Sequence, residues 1–117
     1  VSERDGHLVH VEVELNRETS LSEIKEWMAA WSDRPQHLKL PSAPDNPVII
    51  IDGLPTREEY LMAGGEGLKS GMSVVVGNLK IDNTKLSFSA LSHNTIRGAA
   101  GGCILLAELM LAEGLLD

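Results

Sequence analysis

The stretch SHNTIRGAAGG, residues 92–102, combines polar and small side chains where a helix is predicted to begin. Each of its glycines costs up to about 1 kcal/mol relative to alanine inside a helix. Free N–H groups and partial positive charge at a helix start can bind a ligand, and small residues let a flat ligand or another backbone come close. The alternative is an N-cap followed by close helix–sheet packing. The residues by themselves leave both interpretations open.

Other residues of chemical interest stand in weaker patterns. GGEGLKSG, residues 64–71, is similar to a phosphate-binding loop, but Leu68 stands where that pattern requires a glycine. His37 and His93 have no partners at metal-ligand spacing, so no metal site is expected. The two glutamates on one face of the first predicted strand indicate a solvated face better than paired acid–base catalysis.

Composition limits the classes of protein that fit. The chain has 117 residues, of which 43% are hydrophobic and 3% aromatic, so we expect one domain with an aliphatic core. A net charge of −7 without basic clusters argues against a nucleic-acid partner. The single cysteine, Cys103, favours a reducing, cytoplasmic location, and its apolar neighbours predict an inert core thiol. The charged N-terminus is not a signal peptide, and Glu108 and Glu113 interrupt the last apolar run, so no membrane span is expected.

Two periodic segments open the chain. Residues 8–15 alternate strictly, which predicts a half-buried strand with aliphatic residues on one face and a histidine and two glutamates on the other. Residues 20–31 form a predicted helix, with Ser20 and Glu23 at capping-box spacing. Its predicted apolar face consists of Leu21, Ile24, Trp27, Met28 and Trp31.

The remaining pattern predicts an α+β fold. Residues 32–46 hold three of the five prolines and predict an irregular connection, and residues 47–51 predict a strand that is buried on both faces or begins at an edge. The other predicted elements are a short helix at 56–63 ended by Gly64, strands at 72–81 and 85–91 joined by a tight turn at Asp82 and Asn83, and a helix at about 95–114 ended by Gly114. This order favours a mixed or largely antiparallel sheet with helices packed on one face.

The last predicted helix is apolar almost all round, since Arg97, Glu108 and Glu113 are its only charged residues. A helix of this kind is buried on most sides, and one sheet in a chain of this size rarely covers all of it. The surplus apolar surface predicts contact with another domain or another subunit.

Four segments resemble one enzyme family. LSHNTIRGAAGG, residues 91–102, resembles the C-terminal signature of aspartate-semialdehyde dehydrogenases of the branch common in archaea and fungi. The matches in the same order are DGHLVHVEVEL at 5–15, LPSAPDNPVII at 40–50 and GMSVVVGNLK at 71–80, which resemble the family's DGH strand, its proline loop with the next strand, and the strand before its last hairpin. The resemblance spans nearly the whole chain, although residues 52–70 match the family poorly.

The resemblance implies a two-domain NADP-dependent enzyme that reduces L-aspartyl 4-phosphate to aspartate semialdehyde in lysine, threonine and methionine biosynthesis. Residues 1–117 would be its C-terminal substrate-binding and dimerisation domain, an excerpt without the N-terminal dinucleotide-binding domain and inactive alone. The expected assembly is a homo-oligomer, a dimer or a dimer of dimers. The last helix is expected to pack on the absent domain beside the cofactor.

The resemblance also assigns individual residues. His7 is expected to be the catalytic histidine that moves protons, and Asn94 and Thr95 are expected to bind the nicotinamide end of NADP. The nucleophilic cysteine, which is not Cys103, and the substrate-binding arginine are expected upstream of the chain, although Arg4 is close to His7. Two other hypotheses stay open: a related acyl-phosphate or acyl-CoA reductase, and a non-catalytic dimerisation module.

Overall fold

The computed structural model describes residues 6–115, which form a mixed four-stranded sheet with helices. The strands are β1 (His7–Glu14), β2 (Val48–Ile50), β3 (Val74–Asp82) and β4 (Lys85–Ser92), in the spatial order β1-β4-β3-β2. β4 pairs antiparallel with both β1 and β3, and β2 pairs parallel with β3. The helices are α1 (Leu21–Ala30), α2 (Arg34–His37), α3 (Arg57–Tyr60) and α4 (Gly101–Ala112), with a 3-10 turn at Gly67–Lys69 and a π-helical turn at Ile96–Ala100 directly before α4. The predicted α+β class is confirmed.

Helix α1 packs on one face of the sheet. Ser20 Oγ accepts a hydrogen bond from Glu23 N at 3.2 Å, as the capping-box spacing predicts. Ile24 is buried against strand residues that include Val76 and Leu79. These contacts cover β2 and β3 with aliphatic side chains, as the low aromatic content predicts.

Two tryptophans were wrongly expected in the apolar face of α1. Trp27 and Trp31 are each 53% exposed. The helix ends at Ala30, so Trp31 is no longer part of the helical face. Trp27 lies at the edge of the apolar face whose centre is Ile24. The side of α1 that contacts the sheet is therefore narrower than the sequence pattern predicts.

Strand β1 has the predicted alternation but not the predicted half-burial. Its aliphatic residues Leu8, Val9 and Val13 remain 37–40% exposed. β1 lies at the edge of the sheet, whereas α1 packs on β2 and β3. Alternation identifies the two faces of a strand, but the position of the covering helix decides which face is buried.

The connections differ from the sequence predictions in detail. The segment 32–46 contains the one-turn helix α2, because Asp33 and Gln36 form a capping box that the sequence analysis missed. The β3–β4 turn lies one residue later than predicted, at Asn83 and Thr84, with Asn83 in the left-handed region at φ +56°. β2 is an edge strand, which was one of the two predicted alternatives. Helix α3 is shorter than the predicted helix at 56–63.

Candidate functional site

The start of β1 and the segment that follows β4 meet at one end of the sheet. His7 pairs with Ser92 across the two strands. One residue earlier, the backbone N–H of Gly6 donates to Asn94 Oδ1 at 2.8 Å. Two groups of the sequence-predicted site, His7 and Asn94, therefore lie together although 87 positions (94 − 7) separate them in the chain.

Glycine is required before His7. Gly6 has φ +93°, a conformation that side chains rarely adopt. A Cβ atom at this position would lie 2.9 Å from Leu61 Cδ1 and 3.1 Å from Arg57 Nε. The Gly-His pair thus combines a tight backbone path beside α3 with an exposed imidazole at the entry of the strand.

The hydrogen bond from Gly6 fixes the orientation of the Asn94 amide. Its oxygen accepts the backbone N–H, so its NH₂ group remains to donate. Asn94 is exposed. The chemistry at this point therefore suits a ligand atom that accepts hydrogen bonds, such as a carbonyl or carboxylate oxygen.

Thr95 follows Asn94 in a turn that the His93 side chain stabilises by accepting hydrogen bonds. His93 is only 7% exposed, and its Nδ1 accepts from the backbone N–H groups of Thr95 at 3.3 Å and Ile96 at 3.2 Å. Thr95 itself is exposed. From the sequence, His93 was weighed only as a metal ligand, and its role in this turn was missed.

The glycine and alanine stretch winds as a π-helical turn, with bonds from Gly98 N to His93 O and from Ala100 N to Thr95 O, each at 3.1 Å. Its small residues have two different environments. A Cβ at Gly101 would lie 2.6 Å from Met72 Sδ and 2.8 Å from Ile96 O, so the fold itself requires glycine there. At Gly98 the nearest atom would be 3.9 Å away.

The exposed small residues are Gly98, Ala99 and Ala100. Internal packing explains Gly101, as one of the two original interpretations expected. It does not explain the exposed stretch that precedes it. π-Helical turns within helices are frequent at functional sites.

Helix α4 is anchored to the proline-containing loop through its acidic residues. Both Glu108 oxygens accept from Ser42, one from its N–H and one from its hydroxyl, each at 2.9 Å, and Ser42 is 1% exposed. Glu113, at the end of the helix, pairs with Arg34 at 2.5 Å. The two glutamates that interrupt the last apolar run therefore also hold the helix in place.

Several apolar side chains of α4 are exposed in this chain. Ile104, Leu106 and Leu111 are 45%, 57% and 60% exposed, and Leu115 just beyond the helix is 69% exposed. The predicted surplus apolar surface is present. The prediction of a core thiol was wrong, because Cys103 is exposed and does not belong to the buried cluster that contains Met72 and Leu105.

The other sequence candidates do not join this site. Residues 64–71 form loops and a 3-10 turn between α3 and β3, not the strand–loop–helix unit of a phosphate loop, and Lys69 pairs with Asp45 at 3.3 Å. An open depression on the polar sheet face, lined by residues that include His10 and Ser89, lies elsewhere along the strands. Within residues 6–115, no group of three His, Cys, Asp or Glu side chains could hold a metal ion. Arg4 lies outside the described residues, and none of the described helices is long and apolar enough to cross a membrane.

Comparison with characterised proteins finds relatives over almost the entire chain. The malonyl CoA reductase (NADP) of Metallosphaera sedula is 40% identical over 113 residues, which are 96% of this chain and 31% of that protein. The aspartate-semialdehyde dehydrogenase of Archaeoglobus fulgidus is 43% identical over 110 residues, which are 93% of this chain and 30% of that protein. No protein-family model matches the chain.

A solved structure has the same fold. The crystal structure of aspartate semialdehyde dehydrogenase with NADP from Candida albicans superposes with a TM-score of 0.76 at 26% identity, covering 96% of this chain and 31% of that one. The chain spans about a third of the length of the relatives that it matches.

Proposed function

We propose that this chain, a homologue of the C-terminal third of aspartate-semialdehyde dehydrogenases, is the substrate-binding and dimerisation domain of an NADP-dependent enzyme of that type. The complete enzyme would reduce L-aspartyl 4-phosphate to aspartate semialdehyde and phosphate. A dinucleotide-binding domain and the nucleophilic cysteine would come from the rest of that protein. The complete enzyme would assemble as a homo-oligomer.

The convergence of the four family-like segments is the observation that supports this most strongly. Gly6 of the first segment bonds Asn94 of the last at 2.8 Å. Ser42 of the proline loop bonds Glu108, the carboxylate that anchors the last helix. Met72 of the segment 71–80 is fully buried, beside Gly101. Segments far apart in sequence thus contact one another around residues 93–108.

The exposed residues between positions 94 and 100 fit the nicotinamide end of NADP. The Asn94 NH₂ group remains to donate after its oxygen accepts from Gly6, which suits the carboxamide oxygen of the ring. Thr95 lies next to it, and the exposed stretch of Gly98, Ala99 and Ala100 offers room for a flat group or a neighbouring backbone. When bound, NADPH supplies the hydride for the reduction.

His7 is the proposed proton-moving group. Its imidazole is exposed at the strand entry, so a substrate and a thiol from the upstream domain can reach it. A histidine there can take the proton of the attacking thiol and return a proton in the later step. Gly6, held by Asn94, sets the backbone from which this imidazole projects.

An acyl-CoA reductase is the second candidate. The 40% identity to malonyl CoA reductase extends over 96% of the chain, so this segment is similar to both enzyme types. Both reactions would pass through a thioester on the cysteine, since an acyl phosphate and an acyl thioester each transfer an acyl group to a cysteine thiolate.

Assays of the full-length gene product test the proposal. With NADPH, L-aspartyl 4-phosphate should be reduced, and malonyl-CoA should be a poor substrate. The reverse preference would support the second candidate, and activity with neither would contradict the proposed function. His7→Asn should lower kcat at least about 100-fold, whereas the control His10→Asn, on the same strand, should change it little.

A further inference from the structure

His93 is the one buried histidine of the chain. All four histidines lie within the described residues, and the other three are exposed. Its ring follows β4 directly and precedes the two residues assigned to the cofactor. The proposed chemistry gives this buried imidazole no part in proton transfer.

The contacts of His93 define its hydrogen-bonding state. Two backbone N–H groups, those of Thr95 at 3.3 Å and Ile96 at 3.2 Å, point at Nδ1. An N–H can only donate, so Nδ1 carries a lone pair and the hydrogen of the neutral ring resides on Nε2. The Thr95 hydroxyl also lies 3.2 Å from Nδ1.

The same residue also anchors the π-helical turn through its backbone. The carbonyl oxygen of His93 accepts from Gly98 N at 3.1 Å. The side chain and backbone of His93 together accept from N–H groups at the start of the helix. Asn94 lies within the turn that these bonds close.

We propose that His93 is a positioning residue for the proposed reaction. Its unprotonated Nδ1 closes the turn over residues 93–96, and this turn holds Asn94 in place to accept from Gly6. Gly6 in turn sets the position of His7. This inference rests on the proposed function for its catalytic consequence, although its structural part does not depend on the substrate.

Two substitutions separate positioning from simple support of the fold. His93→Asn keeps a side-chain acceptor of the kind that caps helices well, and His93→Leu removes the acceptor and fills the buried site with an apolar side chain. In the full-length protein, His93→Leu should lower kcat for aspartyl phosphate about ten- to a hundredfold with KM nearly unchanged, since small misplacements of reacting groups have effects of this size. His93→Asn should restore most of that loss. Equal kcat values for the wild type and both folded variants would overturn the proposal.

An NMR measurement on the same proteins does not require activity. With ¹⁵N-labelled histidine, the wild type should give a ring signal with an unprotonated Nδ1 that is absent from both variants. With ¹⁵N-labelled glycine, the Gly6 amide should exchange with solvent faster in His93→Leu than in the wild type and His93→Asn. If the wild type did not reduce aspartyl phosphate, the proposed function would fail, while Gly6 exchange would still decide the structural link. Unchanged Gly6 exchange in His93→Leu, or a hydrogen on Nδ1 in the wild type, would refute the link.

Discussion

Helices α1 and α4 are both rich in apolar residues, but the fold uses them in opposite ways. α1 directs Ile24 into the sheet and leaves polar residues outside. The buried cluster around α4 consists of Leu40, Ala43, Met72 and Leu105, none of which lies in a strand. α1 completes a core, whereas α4 rests on loops at the end of the sheet.

The polar contacts of the two helices reinforce this difference. Glu108 of α4 binds buried Ser42 of its own domain, while Ile104 and Leu106 remain 45% and 57% exposed. A surface helix of a solitary domain has the reverse arrangement. A helix that is anchored by carboxylates and presents leucines has the composition of a surface that another part of the protein covers.

The largest effect is expected in the α1 core. Ile24→Ala removes a side chain that is 5% exposed and should lower the free energy of unfolding by about 2–5 kcal/mol. Trp27→Ala on the same helix is the control and should cost less than about 1 kcal/mol, because Trp27 is half exposed. Urea unfolding of the full-length variants measures both. Similar losses would show that the two faces of α1 are not as different as the fold indicates.

The anchor of α4 should contribute almost as much. Glu108→Ala leaves the N–H and hydroxyl of buried Ser42 without their acceptor, and we expect a loss of about 2–3 kcal/mol. Glu113→Ala breaks an exposed ion pair with Arg34 and should cost less than about 1 kcal/mol. If the two glutamates had equal effects on the melting transition, the Ser42 contact would not be the anchor.

The two environments in the glycine stretch should separate stability from activity. Gly101→Ala places a Cβ against Met72 and should destabilise by about 1–3 kcal/mol. Gly98→Ala makes only an ordinary van der Waals contact, 3.9 Å from His93 O, and should leave stability unchanged or raise it by up to about 1 kcal/mol. If Gly98 faces the cofactor side, as we propose, its alanine variant should still reduce activity or weaken NADP binding. Full activity and unaltered NADP affinity in Gly98→Ala would remove that role.

Much of the fold could be predicted because local patterns determine it. Alternation in β1, the Ser20 cap and the β3–β4 turn each depend on neighbouring residues, and each lies within about one residue of its prediction. The errors have a different origin. The exposure of Trp31, Val9 and Cys103 depends on which element covers which surface, and the sequence pattern of one segment does not contain that information.

The candidate site was predictable in part. The family resemblance indicated His7 and Asn94, and the structure brings them together through the Gly6 hydrogen bond. No spacing rule connects Ser42 with Glu108, or identifies the His93 ring as an acceptor for the next turn, because these contacts join residues across loops or depend on burial. Such residues become visible only after folding places them.

The exposed surface of α4 provides the most direct test of the account. Leu106 and Leu68 are 57% and 56% exposed in this chain, so a solitary domain would lose little from either alanine substitution. If the rest of the protein covers α4, Leu106→Ala should lower the unfolding free energy of the full-length protein by about 1–2 kcal/mol, and Leu68→Ala by less than about 0.5 kcal/mol. Equal, near-zero losses in urea unfolding would mean that α4 has no neighbour, and the central claim would be wrong.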